Sequence, residues 1–377
     1  MKKIGITGQA GFVGNHLFTT LGLDDTFELI SFERQFFEEE ASLNKFVSNC
    51  DVIVHLAAMN RHENPQVIYN TNVALVSKLV NACKNTNSAP HIIFSSSTQE
   101  LKNNLYGKSK KEGRAILEKW ALQSGGKVTS LTIPNVFGPF GKPNYNSFIA
   151  TFCYKLTHGE VPEVLVDSQV NLIYVNELIS KFIGVIKGNL KTKVFNRSCF
   201  EYLVPHTSSK KVSEILNLLI SYKDNYLLNG VFPSLENSFE KALFNTYRCY
   251  VPKDYFPVLF QKHTDPRGSF VEIARTNTSG QFSFSTTVSG ITRGNHFHTR
   301  KAERFAVISG KALIQLRRIG TDEVIDYYLD GEKPAYVDMP IWYTHNIKNI
   351  GDSELVTLFW INEPYNAEDA DTYFENV

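Results

Sequence analysis

Hydrophobic periodicity changes character once along this chain, near residue 250, and that change decides what it can fold into. From residue 1 to about 245, short apolar runs alternate with helix-length segments. The runs lie at 3–7, 27–32, 51–56, 91–94 and 128–133. The segment 65–85 opens on a proline suited to a first helical turn, and spaces Val67, Ile68, Val73, Leu75, Val76, Leu79 and Val80 mostly at helical intervals. Such alternation predicts a Rossmann-type, doubly wound α/β fold, a buried parallel sheet with helices on both faces. After residue 250 helical spacing fades. Strand-like runs follow at 269–274, 282–288, 305–308, 312–317, 324–329 and 355–361, separated by Gly or Asp turns. Many short strands predict an all-β sandwich or barrel. The tract 249–257, with Pro252 and Pro257, is the linker candidate. The expected domains are therefore 1–245, a linker at 246–256, and 257–377.

A length of 377 residues suits two or three cores, and 42% hydrophobic with 20% charged residues is ordinary globular composition. Lys plus Arg total 39 against 38 for Asp plus Glu, so no global field holds nucleic acid or an anionic membrane. The five cysteines, Cys50, Cys83, Cys153, Cys199 and Cys249, are odd in number and never form a Cys-x-x-Cys pair. They read as free thiols in a reducing compartment, most simply as small buried residues. Met1-Lys2-Lys3 runs straight into a strand, without a secretory leader. No apolar run reaches the roughly 18 residues that span a bilayer. The expected location is the cytoplasm.

The first strand leads into Gly8-Gln9-Ala10-Gly11-Phe12-Val13-Gly14. Glycines let such a loop turn sharply and approach a pyrophosphate, which then rests on the next helix N-terminus. Residues about 20 positions past the glycines meet the adenosine ribose. Here Glu33 and Arg34 stand side by side. An acid favours NAD and an arginine accommodates the 2′-phosphate of NADP; Arg34, and so NADPH, is the preferred reading, while Glu33 is as well explained as a solvated surface residue. The small residues of Leu56-Ala57-Ala58 would let cofactor lie against the sheet edge, and His55 reads as a packed strand histidine. The fourth strand ends in Ser95-Ser96-Ser97-Thr98, and Tyr106 and Lys110 share a helix face. An ammonium near a phenol lowers its pKa, so the tyrosine can exchange a proton with a carbonyl oxygen that a serine hydroxyl holds. A lone Tyr-x-x-x-Lys carries little weight; its place after a glycine loop and a serine-rich strand end carries the assignment.

These motifs, in this order, resemble the extended short-chain dehydrogenase/reductase family over residues 1–245. Pro134-Asn135-Val136-Phe137-Gly138-Pro139 and Ile173-Tyr174-Val175-Asn176-Glu177-Leu178 fit the same pattern, and in that family lie near the nucleotide-sugar pocket. The resemblance implies Tyr106, Lys110 and Ser97 as catalytic residues, with Asn135 near substrate. Only nine positions separate Ser97 from Tyr106, where most relatives have a longer loop, so the hydroxyl stays open among Ser96, Ser97 and Thr98.

In the second half, Gly290, His296-Phe297-His298, Glu303 and Gly310 are followed by Pro340-Ile341-Trp342-Tyr343-Thr344-His345. His296 and His298 alternate on a strand and so share a face. Glu303 and His345 can complete a three-histidine, one-carboxylate set for a divalent metal, with Zn the first choice. The spacing resembles the cupin double motif over 255–377, with Trp342 where glycine is usual. A degenerate cupin with purely structural histidines is the competing reading. Asp265-Pro266-Arg267-Gly268-Ser269-Phe270 and Gly290-Ile291-Thr292-Arg293-Gly294-Asn295-His296-Phe297 look like the cupin sugar epimerases. That likeness implies Arg267 and Arg293 as substrate contacts and His296 as a base. A ligated imidazole has no free lone pair, so either the metal is structural and another group is the base, or the metal polarises the ketone and a nearby side chain moves the proton; Tyr343 and Lys301 are possible movers.

A reductase followed by a metal cupin resembles the bifunctional capsular and O-antigen enzymes of the CapF/WbjC type. That family implies epimerisation at carbon 3 of a UDP-2-acetamido-2,6-dideoxy-4-hexulose. Reduction of the carbon 4 ketone with NADPH then gives UDP-N-acetyl-6-deoxy-L-talosamine. It also implies a homodimer. Two rivals stay open: a reductase whose cupin serves only dimerisation and stability, and a non-enzymatic NADP-sensing protein.

Overall fold

The computed structural model describes residues 1–260, 262–265, 268–271, 275–276, 281–363 and 366–377. Backbone contacts divide the chain into two compact units. One comprises Met1–Phe137, Gly141–Phe148 and Ser168–Lys211; the other comprises Gly138–Phe140, Ile149–Asp167 and Val212–Val377.

The first unit alternates strand and helix: β1 (Lys2–Thr7), α1 (Phe12–Leu21), β2 (Phe27–Ile30), α2 (Glu40–Ser48), β3 (Val52–His55), α3 (Pro65–Asn85), β4 (His91–Ser97), α4 (Leu105–Ser124), β5 (Lys127–Ile133) and β6 (Asn135–Phe137). After α5 (Phe148–Thr157), which from Ile149 on belongs to the second unit, come β7 (Gln169–Tyr174), α6 (Val175–Lys187), β8 (Lys193–Val194), β9 (Cys199–Leu203) and β10 (Ser208–Lys211). The main sheet has the order β2-β1-β3-β4-β5-β9-β8. Its strands are parallel apart from the antiparallel β8–β9 pair.

Two-residue periodicity sorts its side chains onto two faces. Ile4, Ile6, Val52, Val54, Ile93 and Leu131 pack with Leu17 of α1 and Leu178, Ile179 and Phe182 of α6. Ile53, Ile92, Phe94 and Val128 pack with Phe46 of α2, Leu79 of α3 and Trp120 of α4. Both faces are covered, which is why the strands read as continuous apolar runs.

The second unit carries α7 (Val212–Tyr222) and α8 (Ser238–Arg248), with β11 (Val231–Phe232) between them. Strands then follow: β12 (Val258–Leu259), β13 (Lys262–Asp265), β14 (Gly268–Val271), β15 (Arg275–Thr276), β16 (Gln281–Thr287), β17 (Thr292–Phe297), β18 (Glu303–Ser309), β19 (Lys311–Arg318), β20 (Val324–Asp330), β21 (Ala335–Met339), β22 (Tyr343–Asn349), β23 (Leu355–Ile361) and β24 (Tyr373–Phe374). Two five-stranded sheets result, β12-β21-β18-β23-β16 and β20-β19-β22-β17-β24. Their pairings are antiparallel. This is the expected all-β cupin barrel. Ala312, Ile314, Leu316, Leu329, Val337, Ile347 and Leu355 fill it.

The helices of this unit pack on the barrel through an aromatic cluster in which the Phe232 ring lies 4.5 Å from Trp360 and 5.1 Å from Tyr226. Within it the fully buried Arg304 and Asp338 pair at 2.7 Å, Tyr226 bonds the same carboxylate, and Arg304 stacks 3.7 Å from the Tyr336 ring. Pairing and stacking offset the desolvation that an isolated buried charge would suffer.

Candidate functional site

The glycine loop is built for close approach. A Cβ on Gly14 would meet the Gly8 carbonyl oxygen at 2.2 Å, so only glycine fits there. Helix α1 begins behind it at Gly11, with no side-chain cap and no acidic residue in its first turn. Its free N–H groups and positive dipole end suit an anion. Phe12, Val13 and Gly14 form that first turn. Leu56, Ala57 and Ala58 follow β3; the Leu56 N–H donates to the Thr7 carbonyl at 3.1 Å. Glu33 and Arg34 both lie exposed just past β2.

His55 is buried, bonded to Thr7 at 2.7 Å and stacked on Phe94, as a packed strand histidine should be. Burial, and then the nearby Lys110, push it down to about 3, so it stays neutral.

Tyr106 and Lys110 do share a face of α4. The Lys110 ammonium lies 5.7 Å from the Tyr106 ring centre, and donates to the Ser95 carbonyl at 2.9 Å. Gly107 brings this helix onto the end of β4: a Cβ there would lie 2.0 Å from the Gln99 carbonyl oxygen. The sequence expectation that lysine lowers the phenol does not hold in the free chain. Burial dominates, pushing Tyr106 up to about 12 and Lys110 down to about 8.

The serine-rich strand end separates by partner. The Ser96 hydroxyl is buried and bonds the Glu100 carboxylate, which Arg114 also holds at 2.8 Å. The Ser97 oxygen accepts the Gln99 N–H at 3.2 Å, which leaves its own hydrogen available to a ketone oxygen.

One organising residue escaped the sequence reading. Asn72, buried on α3, accepts from the Met59 N–H at 2.7 Å and donates to the Met59 carbonyl and to Ser109. Ser109 in turn donates to the Tyr106 carbonyl at 2.7 Å. The loop after β3 is thus tied to the Tyr106–Lys110 helix. Its signal was present: Asn72 falls between Ile68 and Val76 on the apolar face of α3, where a polar residue needs partners.

Asn135, on β6, is exposed and donates to the Asn171 carbonyl of β7 at 3.3 Å. Arg293 is exposed and donates to the Thr286 carbonyl at 2.9 Å. Arg267 lies outside the described residues.

In the barrel, His296, His298, Glu303 and His345 come together with all their ligand atoms within 4.8 Å. His296 pairs directly with His345 across β17 and β22, after a bulge at Asn295, whose φ is +60°. His298 lies one residue past the end of β17, yet its ring is 5.1 Å from that of His296. Trp342 has φ +60°, which explains why glycine is usual at this position of the motif; here the indole stacks 5.5 Å from Phe297, and the main-chain N–H of Trp342 donates to the His298 carbonyl at 2.8 Å.

The donor set fits a divalent metal. The His298 and His345 Nε2 atoms each lie 3.1 Å from Glu303 Oε2, so three buried ligand atoms converge on one point. The opposite nitrogens are committed: His298 Nδ1 donates to the Asp371 carbonyl at 2.5 Å and His345 Nδ1 to the Tyr343 carbonyl at 3.2 Å. A carbonyl can only accept, so both rings carry hydrogen on Nδ1 and offer Nε2 as a ligand. Of the suggested proton movers, Lys301 is buried and spends its ammonium on the Ala370 carbonyl at 2.5 Å, while burial pushes the Tyr343 phenol up to about 12.

Comparison with known proteins follows this division. The NAD dependent epimerase/dehydratase family matches residues 4–196, and the polysaccharide biosynthesis C-terminal domain matches 263–373. A Pseudomonas aeruginosa protein named UDP-2-acetamido-2,6-beta-L-arabino-hexul-4-ose reductase is 33% identical over 373 residues, 98% of each chain. The capsular polysaccharide assembling protein CapF from Staphylococcus aureus is structurally similar over 100% of both chains, at 36% identity and TM-score 0.62. RMD from Pseudomonas aeruginosa, solved with NADPH, shares the fold over 59% of this chain and 83% of its own, at 20% identity and TM-score 0.53.

Proposed function

The chain belongs to the NAD dependent epimerase/dehydratase family, and on that premise we propose that it is a two-activity nucleotide-sugar enzyme. The barrel inverts carbon 3 of a UDP-2-acetamido-2,6-dideoxy-4-hexulose. The first half then reduces the carbon 4 ketone, giving UDP-N-acetyl-6-deoxy-L-talosamine on the way to UDP-N-acetyl-L-fucosamine and a capsule or O-antigen. The observation that carries the reductase assignment is Lys110 held under Tyr106 by the Ser95 carbonyl. The 4-ketosugar substrate is supported by the name of the P. aeruginosa relative, aligned over nearly the whole chain.

The glycine loop Gly8–Gly14 and the first turn of α1 would hold NADPH, which would supply the hydride for carbon 4. Tyr106 gives its phenolic proton to the ketone oxygen, and Ser97 donates a hydrogen bond to that oxygen. Arg34 would hold the 2′-phosphate, and Asn135, Arg267 and Arg293 are proposed substrate contacts. In the barrel the ketone at carbon 4 acidifies the hydrogen on carbon 3. Zn, held by His296, His298, Glu303 and His345, would supply Lewis-acid polarisation of a carbonyl. Ligated imidazoles have no lone pair for a proton, so the base is another group. Among the described residues no helix is long and apolar enough to cross a membrane; a cytoplasmic homodimer made of a 1–245 reductase and a 257–377 cupin is the proposed assembly.

The test is NADPH oxidation by the full chain against a panel of UDP-linked 4-ketohexoses, with product stereochemistry read by NMR. Turnover confined to 2-acetamido-2,6-dideoxy substrates, with inversion at carbon 3, supports the reading. Reduction without inversion leaves a reductase whose barrel serves assembly alone, and cofactor binding without oxidation ends the enzyme reading.

A further inference from the structure

The end of the chain is folded onto the barrel's histidine cluster. Tyr373 and Phe374 form β24, which pairs with β17 so that Phe374 lies opposite His296 and Tyr373 opposite Phe297. The Glu375 N–H donates to the Asn295 carbonyl at 2.9 Å, and its own carbonyl accepts the hydroxyl of Thr344, the neighbour of His345. Arg317 clamps the same stretch, reaching the Glu375 carboxylate at 2.8 Å and the Asn376 carbonyl at 2.6 Å. One strap therefore touches both strands that carry histidines.

Asp371 is its keystone. It is a non-glycine residue with φ +42°, and its side chain is buried. Its carboxylate accepts four hydrogens from the turn that separates His298 from Glu303: the Thr299 N–H at 3.1 Å, the Thr299 hydroxyl at 2.6 Å, the Arg300 N–H at 3.0 Å and the Lys301 N–H at 3.2 Å. Its carbonyl takes the His298 Nδ1 hydrogen at 2.5 Å. A single residue thus fixes the tautomer and rotation of one ring, and through the turn it fixes the path from that ring to Glu303. Partners behind ligating histidines set ligand orientation and basicity, and their loss costs about 10–100-fold in metal affinity. No motif in the sequence singles out Asp371, which lies 68 positions beyond Glu303.

We propose that Asp371, carried by the C-terminal strap, is the positioning residue that sets the metal affinity of the His296–His298–Glu303–His345 site. This rests on the metal reading above.

The test uses the full chain loaded with Zn, its metal content by elemental analysis, and its affinity by competition with a chromophoric chelator. Wild type should hold one Zn per chain. Asp371→Ala should weaken Zn by about 10–100-fold. Asp371→Asn keeps one side-chain acceptor oxygen for the turn and tolerates the left-handed backbone, so a smaller, few-fold loss is expected; it also serves if the alanine variant fails to fold. Asp369→Asn removes the charge that Arg300 meets at 2.7 Å on the same strap and should leave Zn affinity unchanged. A wild type without metal ends the metal reading itself. A wild type with metal, and an Asp371→Ala variant that grips it equally well, overturns the role of Asp371 alone. Equal losses in Asp371→Ala and Asp369→Asn overturn it too, because they would mark general loosening of the strap.

Discussion

Burial moves Tyr106 and Lys110 in opposite directions, and the chemistry follows from where each ends. With its phenol near 12, Tyr106 keeps its proton throughout the working range, which suits an acid. Lys110, held near 8, is the group that titrates. Its ammonium is intact below that value and lost above it, so kcat/KM for reduction should fall as pH rises through about 8. Lys110→Arg, which cannot lose its charge in this range, should flatten that fall; a profile that keeps its shape would remove Lys110 from the mechanism. Tyr106→Phe deletes the acid and keeps the ring. NADPH binding should survive while reduction drops by roughly 100-fold or more, and near wild-type turnover would end the assignment. At the ribose end, Arg34→Ala should weaken NADPH by about 1–3 kcal/mol and leave NADH almost unchanged, because only the former carries a 2′-phosphate for the guanidinium. Equal losses for the two cofactors would show that Arg34 does not discriminate. Tyr106 and Lys110 were legible as residues, since spacing alone puts them on one face. Their protonation was not, because it depends on how deeply the turn at Gly107 seats the helix.

Elements recovered from periodicity were those with one dominant pattern. Helix α3 was expected at 65–85 and is found at Pro65–Asn85. Strands near 282–288, 312–317, 324–329 and 355–361 lie within a residue or so of β16, β19, β20 and β23. The strands β21 and β22 had no such clarity: Ala335–Met339 is buried at every position, and Tyr343–Asn349 mixes ligand, core and amide residues, so neither alternates cleanly. The grouping of His296, His298, Glu303 and His345 was readable as spacing around β17, β18 and β22. The strap beside it was not, because β24 is two residues long and Asp371, which precedes it, belongs to no recognisable motif. Elements held by a shared metal should fail together. His298→Ala should release the metal and lower the thermal stability of the barrel, since ligand binding is also folding free energy. The same variant should still bind NADPH and reduce a substrate already inverted at carbon 3. Loss of that reduction as well would show that the two activities are not separable.

At the scale of the whole chain, helix content and packing do not change at the same place. Helical spacing ends with α8 at Arg248, where the proline-rich tract begins. Contact grouping nevertheless places Val212–Val377 together, because Tyr226, Phe232 and Arg248 spend their side chains on barrel residues: Tyr226 on Asp338, Phe232 on Trp360 and Arg248 on the Met339 carbonyl. Sequence periodicity reports what a segment is, and tertiary packing decides where it belongs. The central claim is that one chain performs inversion and reduction on the same sugar. It is tested most directly by turning over a UDP-2-acetamido-2,6-dideoxy-4-hexulose with NADPH in deuterated water and reading the product by NMR. The account predicts deuterium at carbon 3 with inverted configuration, and protium delivered from NADPH at carbon 4. A product reduced at carbon 4 that carries protium and the original configuration at carbon 3 would contradict it.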